Sequence, residues 1–271
     1  MRGKIFNLIG IILFTFFLMG KSYGKCIIGY SDANHTYLTF GLGESSMNQA
    51  ANLLKQQGFE LKSISSWEKS TLAGLDIAFV GLLNQKLSEE EKNNLHDFVL
   101  NGGSLVIQTD SHKFNPYIKN LADSFGIDLS RQEVSNNTLI YETKHSIING
   151  DHYGFGEVNN YQPQTSGAAN TNPDSSLTAL IMNENGQTLV GLIEFEKLAP
   201  GSGAVVFFGD VNAFTDDYID EGTNKILWQN TFAYLKEHTC GQVNPIPEPS
   251  TVFLLSISLI GYIAFKNKLK N

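Results

Sequence analysis

Asp110, Ser111 and His112 stand side by side in the chain and supply the three residue types of a hydrolytic triad. A nucleophilic serine needs a base aimed at its hydroxyl and an acid aimed at that base, and sequence neighbours on one turn rarely point at one centre. No Gly-x-Ser-x-Gly elbow occurs to present a serine, so no residue is assigned a catalytic role. Asp110 and His112 are instead candidate binding residues. A second concentration of oxygen ligands runs from Asp210 through Val211, Asn212, Ala213, Phe214 and Thr215 to Asp216 and Asp217, extended by Asp220 and Glu221. Calcium takes 6 to 8 such oxygens, and Asp210 and Asn212 fit the opening of a calcium loop. The required glycine and closing glutamate are misplaced, however, and Asp216 and Asp217 equally suit the start of a helical turn, where carboxylates cap free amides. Asp210, Asn212, Asp216 and Asp217 are therefore candidate binding residues; no metal site is assigned and no cofactor is expected, calcium being the one ion these oxygens suit.

Two weaker groups complete the chemistry. Asp32 and His35 precede Gly41-Leu42-Gly43-Glu44-Ser45, two glycines without the rest of a phosphate-binding fingerprint, which reads as a flexible loop. His145 with Asp151 and His152 lacks a third metal ligand at useful spacing.

The elements that must position these loops alternate. Cys26 to Tyr30 reads as a buried strand, Ser46 to Gln57 as a helix closed by Gly58, and Glu60 to Ser63 as a weaker strand. Leu75 to Leu83 contains a strong strand. Ser88 opens a helix with Glu91 completing a capping box, Gly102 and Gly103 end it, and Ser104 to Thr109 is again apolar. Asn149 to Ser176, dense in Asn, Gly, Thr and Ser, reads as a long surface excursion with at most one short strand. Leu177 to Met182 and Thr188 to Glu194, separated by Asn183, Asn185 and Gly186, form an antiparallel hairpin; a strand at Gly203 to Gly209 and a helix at Thr223 to Glu237 follow. Strand–helix alternation with right-handed crossovers gives an α/β fold: a doubly wound, mostly parallel, flavodoxin- or Rossmann-like sheet with an antiparallel edge hairpin. Ligands in such folds collect outside the carboxyl ends of the strands, where the Asp32, Asp110 and Asp210 loops all fall.

Both ends of the chain carry addresses. Met1, Arg2, Gly3 and Lys4 precede an apolar run from Ile5 to Met19, roughly 15 residues against the ~20 a spanning helix needs, and Ser22 and Gly24 suit a signal peptidase cutting before Lys25. Lys25 ahead of Cys26 argues against lipidation. At the other end a proline-rich breaker, Pro245 to Ser250, is followed by an apolar stretch 251–265 and by Lys266, Lys268 and Lys270, which resist translocation. Residues 1–24 are thus a signal peptide, 25–244 one α/β domain of about 220 residues, and 245–271 a tail with a hydrophobic helix. The chain has 19 basic and 27 acidic residues. Six of the basic ones and one acid, Glu248, lie in the end segments, which leaves 13 against 26 and a formal charge of −13 in the domain. Nucleic acid and anionic lipid are disfavoured as partners by that sign, and no nucleic acid is expected.

Pro247-Glu248-Pro249-Ser250, with the hydrophobic helix and basic end, resembles the PEP-CTERM sorting signal, which implies an exosortase-type processing enzyme. It also implies transit through the inner membrane facing the periplasm, and the cell surface or extracellular space as destination. An ordinary C-terminal membrane anchor puts the domain on the same side. In that oxidising setting a Cys26–Cys240 disulfide is expected. Within the domain, the Leu75 to Gly81 strand, Phe98 to Asp110, Thr143 to Gly150, and Gly203 to Asp217 with the terminal helix resemble the class I glutamine amidotransferase-like superfamily in its non-catalytic branches. Active members carry a cysteine on the elbow after a central strand, where here Ser104 to Thr109 runs into Asp110, Ser111 and His112. The expectation is an envelope or matrix-associated protein whose domain binds a partner or glycan such as an extracellular polysaccharide. The alternative is an extracellular hydrolase of carbohydrate or peptide using Asp110, His112 and Asp210.

Overall fold

The computed structural model describes residues 25–31, 36–40, 46–110, 113–130, 138–164, 166–170 and 175–240. All lie in the first of two units, Met1–Cys240 and Gly241–Asn271. The expected signal segment, the tail with Pro247, Glu248, Pro249 and Ser250, and the candidate residues Asp32, His35, 41–45, Ser111 and His112 lie outside the described residues.

In chain order the elements are β1 (Cys26–Ser31), β2 (Thr36–Leu38), α1 (Asn48–Gln56), β3 (Phe59–Ile64), α2 (Lys69–Leu72), β4 (Ile77–Val80), β5 (Leu82–Leu83), α3 (Glu89–Leu100), β6 (Ser104–Gln108), α4 (Asn115–Ser124) and β7 (Leu139–Tyr141). Then come α5 (Ser146–Asn149), β8 (Ala169–Asn170), β9 (Thr178–Asn183), β10 (Gln187–Ile193), β11 (Val205–Phe208), a 3-10 turn at Asn212–Phe214, α6 (Asn224–Leu235) and a π turn at Lys236–Cys240. The main sheet runs β3-β1-β4-β6-β11-β10-β9-β7, with β8 beside β10. Its first five strands are parallel. Counted among themselves in chain order they give 2-1-3-4-5, the doubly wound order with its switch point between β1 and β4. The α/β, mostly parallel expectation holds.

Strands β4, β6 and β11 are buried at every position, so their sequences show no alternation. The cause is that helices cover both faces. Ile28, Phe79, Val106 and Phe208 face one core, closed by α1 and α6. Ala78, Val80, Leu105, Ile107 and Phe207 face the other, closed by α3 and α4. Trp228 of α6 is fully buried and donates its indole N–H to the Ala50 carbonyl at 3.1 Å, fixing α6 against α1. The α3 capping box forms as the sequence requires, Glu91 N–H donating to Ser88 Oγ at 3.2 Å while Ser88 N–H donates to the Glu91 carboxylate at 2.9 Å.

The antiparallel edge is present: β9 and β10 form the hairpin, and β7, three residues and too short to show a period, pairs with β9 outside it. Two readings need correction. The sequence reading assigns no helix to Asn115–Ser124, although Pro116 in the first turn and buried Ile118, Leu121 and Ala122 are its signal. The 149–176 stretch is no surface excursion: Val158, Tyr161, Ser166, Ala168 and Ala169 are buried, and β8 joins the sheet. Small residues there serve close approach to the sheet end rather than solvation. Cys26, first in β1, and Cys240, last in the π turn, form a disulfide with Cα atoms 5.6 Å apart. Among the described residues no helix is long and apolar enough to cross a membrane.

Candidate functional site

Strands β6 and β11 are parallel neighbours with Gln108 in register with Phe208. Two residues beyond each strand end stand Asp110 and Asp210, 7% and 1% exposed. The crossing segment that locks them explains its own glycines. Gly167 N–H donates to the Gly209 carbonyl at 2.8 Å. A Cβ on Gly167 would stand 2.2 Å from the Asp110 carbonyl oxygen, and one on Gly209 would stand 2.2 Å from the Gly167 oxygen. No side chain fits at either crossing.

Asp210 is used by backbone. Its Oδ1 accepts from Asn212 N–H at 2.7 Å, its Oδ2 accepts from Gln164 N–H, and Ala213 N–H also donates to it. Asn212 in turn donates its side-chain amide to Asp110 Oδ2 at 3.1 Å, joining the two strand ends. Burial first, and then the Asp110 charge, push the Asp210 carboxyl up to about 7, against the pull of those three N–H groups. Tyr161 lies beside this pair, held by its own N–H donating to Tyr141 Oη at 3.0 Å. Burial and the nearby Asp210 raise its phenol well above the ordinary value, so the hydroxyl stays a proton donor. That hydroxyl is buried with no hydrogen-bond partner, and so are both amide atoms of Gln108 at the end of β6 and the hydroxyl of Ser166 next to Gly167.

On the other face of the β6 end, Thr109 Oγ1 donates to Asn115 Oδ1 at 2.8 Å, and Asn115 Nδ2 donates to the Ser130 carbonyl at 2.6 Å. These bonds fix the start of α4 beside a cavity of about 480 Å³ lined by Lys86, Asn115, Lys119, Asn120, Leu129 and Ser130. Asn120 Nδ2 donates to the Leu87 carbonyl at 3.2 Å, while its Oδ1 is buried without a partner. Lys119 is held by Asp123 at 2.6 Å and Asp128 at 3.7 Å.

The remaining acids of the 210–221 loop disperse. Asp216 turns to the start of α1, Asp217 is exposed, and Asp220 pairs with Lys225 at 3.2 Å. His145 caps α5, its Nδ1 accepting from Ile147 N–H at 3.1 Å, and His152 meets Glu237 at 3.0 Å, so the two histidines serve separate contacts. Both cysteines are consumed by the disulfide, and no free thiol exists. Among the described residues, the one group of three potential metal-ligating atoms within 4.8 Å is Cys26, Asp76 and Cys240, whose sulfurs are bonded to each other. The sequence puts the Asp110 loop and the Asp210–Asn212 loop at the same end of the sheet, but offers no reading of Gln108, Tyr161, Asn115 or Asn120 as site residues. A polar residue closing an apolar strand was the available signal for Gln108; Tyr161 offered none.

The family model described as the PEP-CTERM protein-sorting motif matches residues 245–268. No curated protein matches the chain. Among solved structures, the mmIFT52 N-terminal domain superposes with a TM-score of 0.61 at 13% identity, covering 77% of this chain and 96% of that one. The cytoplasmic protein STM3548 from Salmonella typhimurium gives 0.50 at 13% identity over 77% and 98%. A ThuA-like protein from Bacteroides uniformis gives 0.49 at 14% identity over 81% and 94%. At these identities the likeness shows the fold alone. The tail motif marks the chain for export, membrane passage to the cell surface and processing by an exosortase-type enzyme.

Proposed function

We propose that the exported domain is a non-covalent receptor for a polyhydroxylated ligand, an extracellular polysaccharide, which it holds at the carboxyl ends of the central strands. One observation carries the reading: the acids there are engaged by Asn212, Gln164 and Ala213, while neutral groups lie buried with no partner on both faces of the β6 end, the Gln108 amide and Tyr161 hydroxyl on one and Asn120 Oδ1, beside the cavity, on the other. An unmade buried hydrogen bond costs about 1–3 kcal/mol, so each such group is a standing cost that a ligand relieves. Sugar hydroxyls both donate and accept, matching an amide that offers two donors and an acceptor. The cavity beside Asn115 and Asn120 is of the size that holds small ligands, about 300–1,000 Å³.

The 2-1-3-4-5 sheet order supports an amidotransferase-like domain, in which both cysteines are held in the disulfide and cannot serve as a nucleophile. The mature protein starts at Lys25 after signal peptidase and loses or retains the tail after Asn244; mass spectrometry of the termini in cell fractions decides both. A second reading, an extracellular hydrolase, rests on Asp210 titrating near neutrality beside Asp110, an acid–base pair by composition.

The deciding experiment incubates the full chain with polysaccharide from the producing cells. Binding that Gln108→Leu and Asn120→Leu weaken at least tenfold, without release of reducing ends, supports the receptor. Reducing ends that accumulate with time and vanish in Asp210→Asn establish the hydrolase instead. No binding and no product would sink both.

A further inference from the structure

The amino-terminal end of the sheet carries a second opening. A shallow groove of about 460 Å³ runs between the end of α1 and the π turn that follows α6, lined by Gln57, His152, Tyr153, Phe155, Lys236 and Glu237. Its charged side chains already make contacts within the chain. His152 Nε2 lies 3.0 Å from the Glu237 carboxylate. Lys236 Nζ donates to the Gln57 carbonyl and sits 5.3 Å from the Phe59 ring centre. The acidic domain as a whole repels anions.

What remains is two partly exposed rings, Tyr153 and Phe155, flanked by an amide, an imidazole and a carboxylate. Gln57 Nε2 is used by the Gln229 carbonyl at 3.0 Å, but its Oε1 is buried without a partner. Aromatic faces accept the apolar C–H face of a pyranose, and the planar polar groups beside them pair with its hydroxyls. Gln57 precedes β3, and the Cys26–Cys240 bridge ties the same region to the first residue of β1. The groove thus lies a strand's length from Asp110 and Asp210, roughly 17–20 Å for five or six residues at ~3.3 Å each.

We propose that this groove is a second carbohydrate-binding site, for a neutral polysaccharide segment, so that one molecule bridges two glycan chains from opposite ends of its sheet. The bridging, though not the groove itself, rests on the carboxyl-end receptor reading. The test takes the full chain in detergent and the neutral fraction of the producing cells' extracellular polysaccharide. Short fragments of it are titrated by calorimetry, and the uncut polymer is followed by turbidity. Two fragments should bind per chain, and the polymer should turn cloudy. Phe155→Ala and, independently, Glu237→Gln should each remove one site and the turbidity while melting as the wild type does; Asn120→Leu should remove the other site. If both groove variants retain two sites, or if a single site is lost only in Asn120→Leu, the groove is refuted and the carboxyl-end receptor stands. If a single site is lost only in the groove variants, the carboxyl-end receptor and the bridging fall together. Absence of any binding overturns both.

Discussion

Gln49 and Asp216 meet at the start of α1 across 167 residues of chain, the Gln49 N–H donating to Asp216 Oδ1 at 2.6 Å. Ser46 Oγ donates to the other carboxylate oxygen at 2.6 Å, and Asp216 N–H returns a bond to the Ser46 carbonyl at 2.7 Å. Helix α1 has no side-chain cap of its own, since Met47 stands at its N-cap. Asp216 supplies that cap in trans and places a negative charge at the positive end of the helix dipole. Asp216→Ala should cost about 1–2 kcal/mol in chemical denaturation, Asp216→Asn should recover most of it, and calcium should leave the melting temperature of the wild type unchanged.

The glycine crossing beneath Asp110 and Asp210 gives a sharper result. A methyl group on Gly167 meets backbone oxygen rather than a yielding side chain, so the loss should reach the top of the overpacking range, at least ~3 kcal/mol. Gly74 is the control: the nearest atom to a Cβ there is 3.9 Å away, and its φ is not positive. Gly74→Ala should be neutral or stabilising by about 0.5 kcal/mol. Equal destabilisation by both substitutions, measured by urea denaturation, would remove the steric explanation.

These two cases mark what the sequence could and could not say. The parallel sheet, the Ser88 cap and the β9–β10 hairpin were legible because each is written in local residue order. The pairing of Asp110 with Asn212 was legible only in outline, because a doubly wound fold collects strand ends at one edge. Asp216 reads as a cap for a helical turn beside it, but the helix it caps begins at Asn48, and nothing near Asp216 identifies so distant a partner. The 149–176 stretch misled because Gly and Ser near a sheet edge have the composition of a solvated loop. Their role depends on the carbonyl oxygens they approach, and those belong to other strands.

Unpartnered polar groups in a core cost stability, and removing them should return it. Tyr161→Phe and Gln108→Leu keep much of the original shape while deleting groups that make no hydrogen bond. Each should raise stability by about 1 kcal/mol. If the carboxyl-end site binds sugar, both should at the same time weaken polysaccharide binding. A variant more stable and equally able to bind would separate these groups from the ligand.

The disulfide joins residues 214 positions apart, tying the end of the last helix to the first residue of a strand inside the sheet. Chain-entropy reasoning gives on the order of 5 kcal/mol for so long a loop, an upper bound that measured bridges seldom reach. Replacing Cys26 and Cys240 together with alanine should therefore cost about 2–5 kcal/mol, and a reducing agent should lower the wild-type melting temperature toward that of the double variant while leaving the variant unmoved. Equal melting of all samples would show that the bridge does not contribute.

Asp210 predicts the direction of pH dependence. Its folded carboxyl is raised to about 7 from 3.8. Below 3.8 folded and unfolded chains are both protonated, and the group is neutral toward stability. As pH rises toward 7 the unfolded chain ionises first and binds fewer protons than the folded one, so stability falls across that window and levels off above it. A shift of this size corresponds to on the order of 4 kcal/mol. His145 acts oppositely, because burial lowers its folded value below 6.5 and acid therefore favours the unfolded chain. The informative quantity is the wild type minus Asp210→Asn, which cancels the histidine: that difference should decline from pH 4 to pH 7 and then stay flat. A difference that rises with pH would mean that the N–H groups of Gln164, Asn212 and Ala213 outweigh burial and hold Asp210 ionised. The acid–base pair of the hydrolase reading would then lose its proton donor.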